Sequence, residues 1–110
     1  MAGLPPLVGS VARRYRQALE ATFSGRVRAV RVFGSMARGD ANEDSDVDIL
    51  VILERASFAD RGRAIDLATE LGLADGLAIS PIVLTPEEWE DLVRRERALP
   101  EEVERDGVDV

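Results

Sequence analysis

The sequence predicts a small α/β (α+β) domain in which helices flank a mixed sheet of three to four strands. Two observations carry this prediction: the hydrophobic pattern changes between strand-like runs and amphipathic helical stretches, and these follow in the order helix, strand, strand, helix, strand, helix. The chain length of 110 residues, with 45% hydrophobic and 32% charged content, is enough for one hydrophobic core. We therefore predict that residues 1–110 form a single domain.

Three segments predict the strands. Val27–Phe33 is rich in Val, Ala and Phe that alternate with Arg, and Gly34 ends it. Val47–Leu53 is apolar without alternation, as expected for a strand that is covered on both faces at the centre of a sheet. Residues 77–84 contain Pro81, which places this strand at a sheet edge or at a bulge. Between the first two strands, residues 35–39 predict one helical turn and residues 40–45 a polar loop.

Amphipathic segments predict the helices. The first covers residues 4–23, where apolar side chains recur at three- and four-residue steps: Val8, Val11, Tyr15, Leu19 and Phe23. The second covers residues 58–73 and ends at Gly72, with its apolar face formed by Phe58, Ile65, Leu67, Ala68 and Leu71. A third begins at the capping box of residues 85–88, runs to about Ala98 and turns Trp89, Leu92 and Val93 inward. A short acidic helix and an extended piece at residues 107–110 follow Pro100.

The residue types that are absent exclude many kinds of catalysis. The chain has no Cys and no His, and all fourteen of its basic residues are Arg. A Ser-His-Asp triad, a Cys-His pair, a Schiff-base or P-loop lysine and a thiolate or histidine metal site are therefore impossible. Carboxylates, hydroxyls, Arg and the backbone remain, and this set suits a hard cation such as Mg²⁺.

The net charge and the N-terminal sequence limit the partners and the location that we expect. The net charge of -7 argues against direct binding of nucleic acid by phosphate neutralisation. The N-terminus lacks the apolar stretch of a secretion signal, so we expect a cytoplasmic protein without a membrane segment.

The main candidate site combines a Gly-Ser pair with an Asp-x-Asp motif. Asp46 and Asp48 alternate onto the same face of a strand, roughly 6.6 Å apart along the chain. Two such carboxylates repel each other unless a divalent cation neutralises them. Gly34 lets the backbone approach a ligand closely, and the N–H groups of Ser35 and Met36 could bind an anion. Either motif alone is commonly a turn or surface feature, whereas their combination, separated by ten residues, favours a ligand site.

Residues 34–39 (GSMARG) and 45–51 (SDVDILV) closely resemble the signature of the minimal nucleotidyltransferases of the polymerase-beta-like superfamily. The resemblance implies that Gly34 and Ser35 bind the phosphates of a nucleoside triphosphate, most simply ATP. It implies that Asp46 and Asp48 are catalytic and bind two Mg²⁺, and that a nucleoside monophosphate passes to an acceptor hydroxyl. Arg38 matches the motif arginine and could touch phosphate; alternatively it is solvated or paired with Asp40 or Asp44.

The chain departs from this family at one position. Active members usually carry a third carboxylate on a later strand, and strand alternation places Ser80 where that residue would lie. A neutral hydroxyl is a far poorer metal ligand. Asp75 lies in the turn before this strand and could reach the site only in a different strand register, while Glu54 lies about 20 Å along its strand from Asp48, so neither is a convincing substitute. Glu43 and Asp44 could contribute from the loop, although solvated loop acids are the commoner case.

The resemblance leaves two hypotheses open. In the first, the chain is a Mg²⁺-dependent enzyme that adenylylates a protein, as the antitoxin-like partner of a HEPN-domain protein. In the second, it is a weak or inactive nucleotidyltransferase-fold protein that neutralises its partner by contact. The acidic segment between Glu87 and Asp109 is a candidate docking surface, although a charged helix is usually only a solvated face.

Overall fold

The computed structural model describes residues 3–42 and 45–110, so the predicted loop ligands Glu43 and Asp44 lie outside the described residues. The elements follow in the order α1 (Pro6–Thr22), β1 (Val27–Phe33), α2 (Ser35–Arg38), β2 (Val47–Leu53), α3 (Phe58–Asp75), β3 (Ile79–Leu84), α4 (Pro86–Arg94), α5 (Ala98–Asp106) and β4 (Val108–Asp109). The predicted α/β class, with a mixed sheet flanked by helices, is confirmed. No helix in the described part of the chain is both long and apolar enough to cross a bilayer.

Strand β2 lies inside the sheet, as its uninterrupted apolar sequence predicts. The strand order is β3-β2-β1-β4, with β2 antiparallel to β1 and parallel to β3. Strand β3 is an edge strand, which agrees with Pro81, because proline cannot donate to a neighbouring strand. The short β4 is antiparallel to β1 on the other edge.

The main core lies on the face of the sheet that α1 and α3 cover. Tyr15 and Leu19 of α1 are fully buried against Val30 and Ile49 of the central strands. The Tyr15 hydroxyl donates a hydrogen bond of 2.8 Å to the carbonyl oxygen of Ala64 in α3, and burial raises the pKa of Tyr15. This bond satisfies a buried polar group and fixes the two helices relative to each other.

A smaller cluster covers the opposite face of the sheet. Val103 of α5 is fully buried and packs with Phe33, Leu50 and Ile52. Because side chains alternate along a strand, Asp48 projects from β2 on the same face as Leu50. Helix α5 and Asp48 therefore share one side of the sheet.

Helix α3 corrects two expectations. It continues through Gly72 to Asp75 and ends at Gly76, whose φ of 68° is left-handed. A Cβ at Gly72 would collide with the carbonyl oxygen of Leu77, so this glycine permits close return of the chain and does not end the helix. Phe58 and Ile65, predicted to face the core, are 94% and 46% exposed.

Helix α4 is shorter than predicted. It ends at Arg94, well before Ala98, and Glu96 takes a φ of 53° before α5 begins. In a continuous helix Pro100 would lack one hydrogen bond and would clash with the preceding turn, whereas the first turn of a new helix tolerates it. Val93, predicted to turn inward, is 48% exposed.

Candidate functional site

Gly34 and Asp48 form the centre of the candidate site. Gly34 lies between β1 and α2 with a φ of 73°, a conformation that side-chain-bearing residues rarely adopt. A Cβ at this position would collide with Oδ2 of Asp48. The register of the sheet explains this proximity, because Phe33 pairs directly with Asp48. The glycine therefore serves both the turn and the close approach of a carboxylate to the backbone.

Helix α2 begins directly after Gly34. The carbonyl oxygen of Gly34 accepts hydrogen bonds from the N–H groups of Ala37 at 3.1 Å and Arg38 at 3.0 Å. At the start of a helix, the first N–H groups have no acceptor within that helix, which is the case for Ser35 and Met36. These groups are available to an anionic ligand.

Asp46 and Asp48 lie at the beginning of β2. Asp46 is exposed just before the strand, while Asp48 is half-buried within it. The pKa of Asp48 is raised, first by burial and then by the negative charges of Asp46 and Glu102, with Arg38 acting in the opposite direction. The negative charge around Asp48 is therefore only partly compensated by the protein itself.

Ser80 lies opposite Asp48 in the parallel pairing of β2 and β3. The position beside Asp48 on the neighbouring strand thus carries a hydroxyl and not a carboxylate. The two alternatives considered from sequence lie elsewhere, because Asp75 forms an ion pair with Arg14 and Glu54 pairs with Arg28 at 2.7 Å beyond the far end of β2. Neither is a substitute at this site.

Arg38 belongs to an ion-pair network that the sequence only partly indicated. Its Nε lies 3.2 Å from Oδ2 of Asp40, a pairing that was one of the alternatives. Its Nη1 also lies 3.3 Å from Oδ2 of Asp106 and 3.7 Å from Oε1 of Glu102, both in α5. Sequence reasoning missed these two acids and treated them as part of an acidic surface. Their four-residue spacing, which puts both on one face of a helix, was the available signal.

Packing on the sheet and strand pairing at its C-terminal end hold helix α5 in place. Val103 packs beneath it on the sheet, and the N–H of Gly107 donates a hydrogen bond of 2.7 Å to the carbonyl oxygen of Val103. Beyond Gly107, β4 pairs Val108 with Val32 of β1. The position of α5 beside the site therefore follows from packing and strand pairing, and not from the ion pairs alone.

The donor set suits a divalent cation. Carboxylate oxygens are the ligands that hard cations such as Mg²⁺ prefer. The pKa of Asp48 is raised first by burial and then by the negative charges of Asp46 and Glu102, and a bound cation would offset that negative charge. Within residues 3–42 and 45–110, no three acidic side chains already converge on one point. Asp46 and Asp48 are therefore a pair that could hold metal, with the remaining ligands still to be supplied.

Comparison with known proteins places this geometry in a family. A family model described as a nucleotidyltransferase domain matches residues 7–105. A protein of Methanocaldococcus jannaschii named "Putative protein adenylyltransferase" is 39% identical over 75 residues, which are 68% of this chain and 71% of that protein.

Solved structures agree. One described as a "putative minimal nucleotidyltransferase" superposes with a TM-score of 0.60 and 30% identity, over 94% of this chain and 95% of that one. A toxin-antitoxin structure with AMP-PNP shares the fold, with a TM-score of 0.54 and 19% identity over 87% and 69% of the two chains. The chain therefore belongs to the nucleotidyltransferase family, and within it to the minimal nucleotidyltransferases.

Proposed function

We propose that this protein transfers AMP from ATP, with Mg²⁺, to a hydroxyl group of a partner protein. The observation that carries the proposal is the contact between the backbone at Gly34 and the carboxylate of Asp48. It brings an anion-binding turn and a cation-binding acid to the same point. The relative named as a protein adenylyltransferase supports protein as the acceptor.

Each residue of the site has a distinct part in this reaction. Gly34 leaves room for the triphosphate to approach the backbone, and the N–H groups and hydroxyl at Ser35 donate hydrogen bonds to its oxygens. Asp46 and Asp48 would hold the metal ions. When bound, Mg²⁺ withdraws electrons from the phosphoryl group and neutralises the charge that develops on the leaving pyrophosphate. Arg38 adds a positive charge near the phosphates once they draw it away from the acids of α5.

The reaction replaces the phosphoanhydride bond of the α-phosphate by a phosphoester bond to the acceptor. The acceptor oxygen bonds to the α-phosphorus as the bond to the pyrophosphate oxygen breaks, which leaves an AMP ester, pyrophosphate and one proton. The sheet end fixes the phosphates, and positioning of this kind accounts for much of the acceleration of phosphoryl transfer.

The partner in this proposal is a HEPN-domain protein, for which this chain acts as antitoxin. Two observations support a partner of this kind. A solved structure with the same fold is a toxin-antitoxin assembly with AMP-PNP, and Asp46 at the sheet end is exposed, so an acceptor can approach it.

A second candidate function is neutralisation by contact, without transfer. It is favoured by Ser80, which leaves the β3 position opposite Asp48 without a carboxylate, and by the ion pairs that hold Arg38. Both features would weaken an enzyme while leaving the surface of the protein intact.

One experiment separates the two functions. The purified protein is incubated with Mg²⁺, ATP labelled on the α-phosphate and the product of the neighbouring gene, beside the variant Asp46→Asn/Asp48→Asn. We expect the partner to be labelled by the natural protein and not by the double variant. We also expect the toxicity of the partner to be neutralised only where label appears. Neutralisation by the double variant without label would replace the enzyme by the contact mechanism.

A further inference from the structure

We propose that Glu102 of α5 supplies the third carboxylate of the metal site, in place of the position that Ser80 occupies on β3. This inference rests on the proposed function, because it assigns a ligand to the same metal site. It concerns a residue that lies 54 positions after Asp48 in the sequence and on a different element.

The packing of α5 brings Glu102 to the correct end of the sheet. The next residue, Val103, is fully buried against Phe33 and Leu50. Phe33 pairs with Asp48 across β1 and β2, and Asp48 and Leu50 project from the same face of β2. Glu102 therefore lies beside the face from which the Asp48 side chain projects, and its charge is among those that act on that carboxylate.

The contacts of Glu102 leave it free to change partner. Its only ion pair among the described residues is with Arg38, at 3.7 Å, which is longer than a hydrogen bond. Arg38 does not depend on it, because Asp40 and Asp106 accept hydrogen bonds from the same guanidinium at 3.2 and 3.3 Å. Asp106 is less suited to be a ligand, since it also pairs with Arg105 at 3.0 Å and its side chain is only 9% exposed.

The chemistry of the site favours a switch of Glu102 from Arg38 to the metal. A divalent cation between Asp46 and Asp48 attracts a nearby carboxylate more strongly than one guanidinium does, and Mg²⁺ accepts several oxygen ligands. The Glu102 side chain is 38% exposed, so it can rotate about its torsions without repacking the core. Nucleotide phosphates that bind Arg38 would release Glu102 at the same time.

The test measures metal binding and not turnover. Free Mn²⁺ is followed by electron paramagnetic resonance during titration of the full chain in the presence of α,β-methylene-ATP, whose α–β linkage cannot be cleaved, with the nucleotide alone as the blank. Glu102→Gln is compared with Glu104→Gln, an equal charge change on an exposed position of the same helix, and with Asp48→Asn. We expect Glu102→Gln to weaken Mn²⁺ binding about tenfold or more, since even residues that only support a metal ligand cost about 10–100-fold, and Glu104→Gln to leave it unchanged.

A further variant separates ligation from a charge effect. Glu102→Asp keeps the charge but shortens the side chain by one methylene, so a direct ligand loses affinity several-fold whereas a distant charge does not. Wild-type affinity in Glu102→Asp would overturn the assignment of Glu102 as a ligand.

The remaining outcomes are also decisive. If Asp48→Asn abolishes Mn²⁺ binding and Glu102→Gln retains it, the assignment of Glu102 is wrong while the proposed function stands. If the natural protein binds no Mn²⁺ with the nucleotide present, both proposals fall. Thermal unfolding of each metal-free variant shows whether it is folded; side-chain exposure at Glu102 predicts that it is.

Discussion

Carboxylates at the two ends of the sheet have pKa values that are shifted in opposite directions. At the end farthest from Gly34, three acids are each paired with an arginine: Asp60 with Arg26 at 3.0 Å, Glu54 with Arg28 at 2.7 Å and Glu88 with Arg61 at 2.8 Å. Hydrogen bonds from these arginines and, for Glu88 foremost, from the backbone N–H of Thr85 lower the pKa of all three. At the other end the pKa of Asp48 is raised.

This difference separates carboxylates that stabilise the fold from carboxylates at the candidate ligand site. The acids of the far end have partners within the chain, and two of them, Asp60 and Glu88, also complete the capping boxes of α3 and α4. Asp48 lies near Asp46 and Glu102, which raise its pKa further, and only Arg38 lowers it. That arginine is also paired with Asp40, Glu102 and Asp106. Unfavourable charge retained in this way is typical of a functional site.

The largest effect is expected on AMP transfer activity, measured after carboxylates at one end of the sheet or the other are replaced by amides. Asp46→Asn/Asp48→Asn should lower the initial rate of AMP transfer on the order of 100-fold or more, because bound metal contributes several kcal/mol to the reaction. Glu54→Gln, which removes a charge at the far end, should stay within about twofold. Equal losses in both variants would show that the two ends do not differ in function.

Gly34 should be more sensitive to substitution than a glycine with the same backbone conformation elsewhere. Gly25 has a φ of 76° and nothing near its missing Cβ, while Gly34 has a φ of 73° and Asp48 in the way. We expect Gly25→Ala to cost about 1 kcal/mol from conformation alone and Gly34→Ala roughly 1–3 kcal/mol more from the collision. Urea unfolding measures both; similar costs would mean that Asp48 moves away easily.

In the absence of metal, replacing an aspartate by asparagine should shift the Tm in opposite directions at the two ends of the sheet. The folded-state pKa of Asp48 lies above its ordinary value of 3.8, so ionised Asp48 destabilises the fold once the pH rises above that range. Asp48→Asn should therefore raise the Tm at pH 7. The difference should vanish as the pH falls below about 3.8, where the carboxyl is protonated in both states.

Asp60 provides the matched control of opposite sign. Its pKa lies below 3.8, so its stabilising contribution is complete above that value and is lost as the pH falls through the lowered pKa. Asp60→Asn should lower the Tm at pH 7, with a difference that shrinks in acid. The same direction of change for Asp48→Asn and Asp60→Asn would contradict the electrostatic contrast between the ends.

The smallest effect is expected from the arginines. Arg38→Gln should raise the KM for ATP by roughly tenfold, as expected for loss of one charge-assisted hydrogen bond to phosphate. Arg28→Gln, an exposed position at the far end, should leave the KM unchanged. Steady-state kinetics at varied ATP distinguishes them, and an unchanged KM in Arg38→Gln would leave Arg38 with only its ion pairs to α5 and Asp40.

Much of the site could be predicted because its parts are local. The uninterrupted apolar sequence of Val47–Leu53 placed β2 inside the sheet, and the strand period predicts that Asp46 and Asp48 share one face. The hairpin-like order of β1 and β2 then brings Gly34 to Asp48. Helix ends were harder to predict. Gly72 could either end a helix or allow another segment to pack closely, and Pro100 could either follow a helix or lie in the first turn of a new one. Only the packing of the following segments decides between these alternatives.

The sequence by itself determined the fold class, the place of β2 inside the sheet and the residue types that could perform chemistry. Only the tertiary structure decided which acids share the site. Glu102 and Asp106 look like the other acids of residues 86–110, and burial of Val103 on the sheet turns just these two toward Arg38. Local patterns depend on backbone geometry within a few residues, whereas the contact between α5 and the site depends on packing between residues more than fifty positions apart.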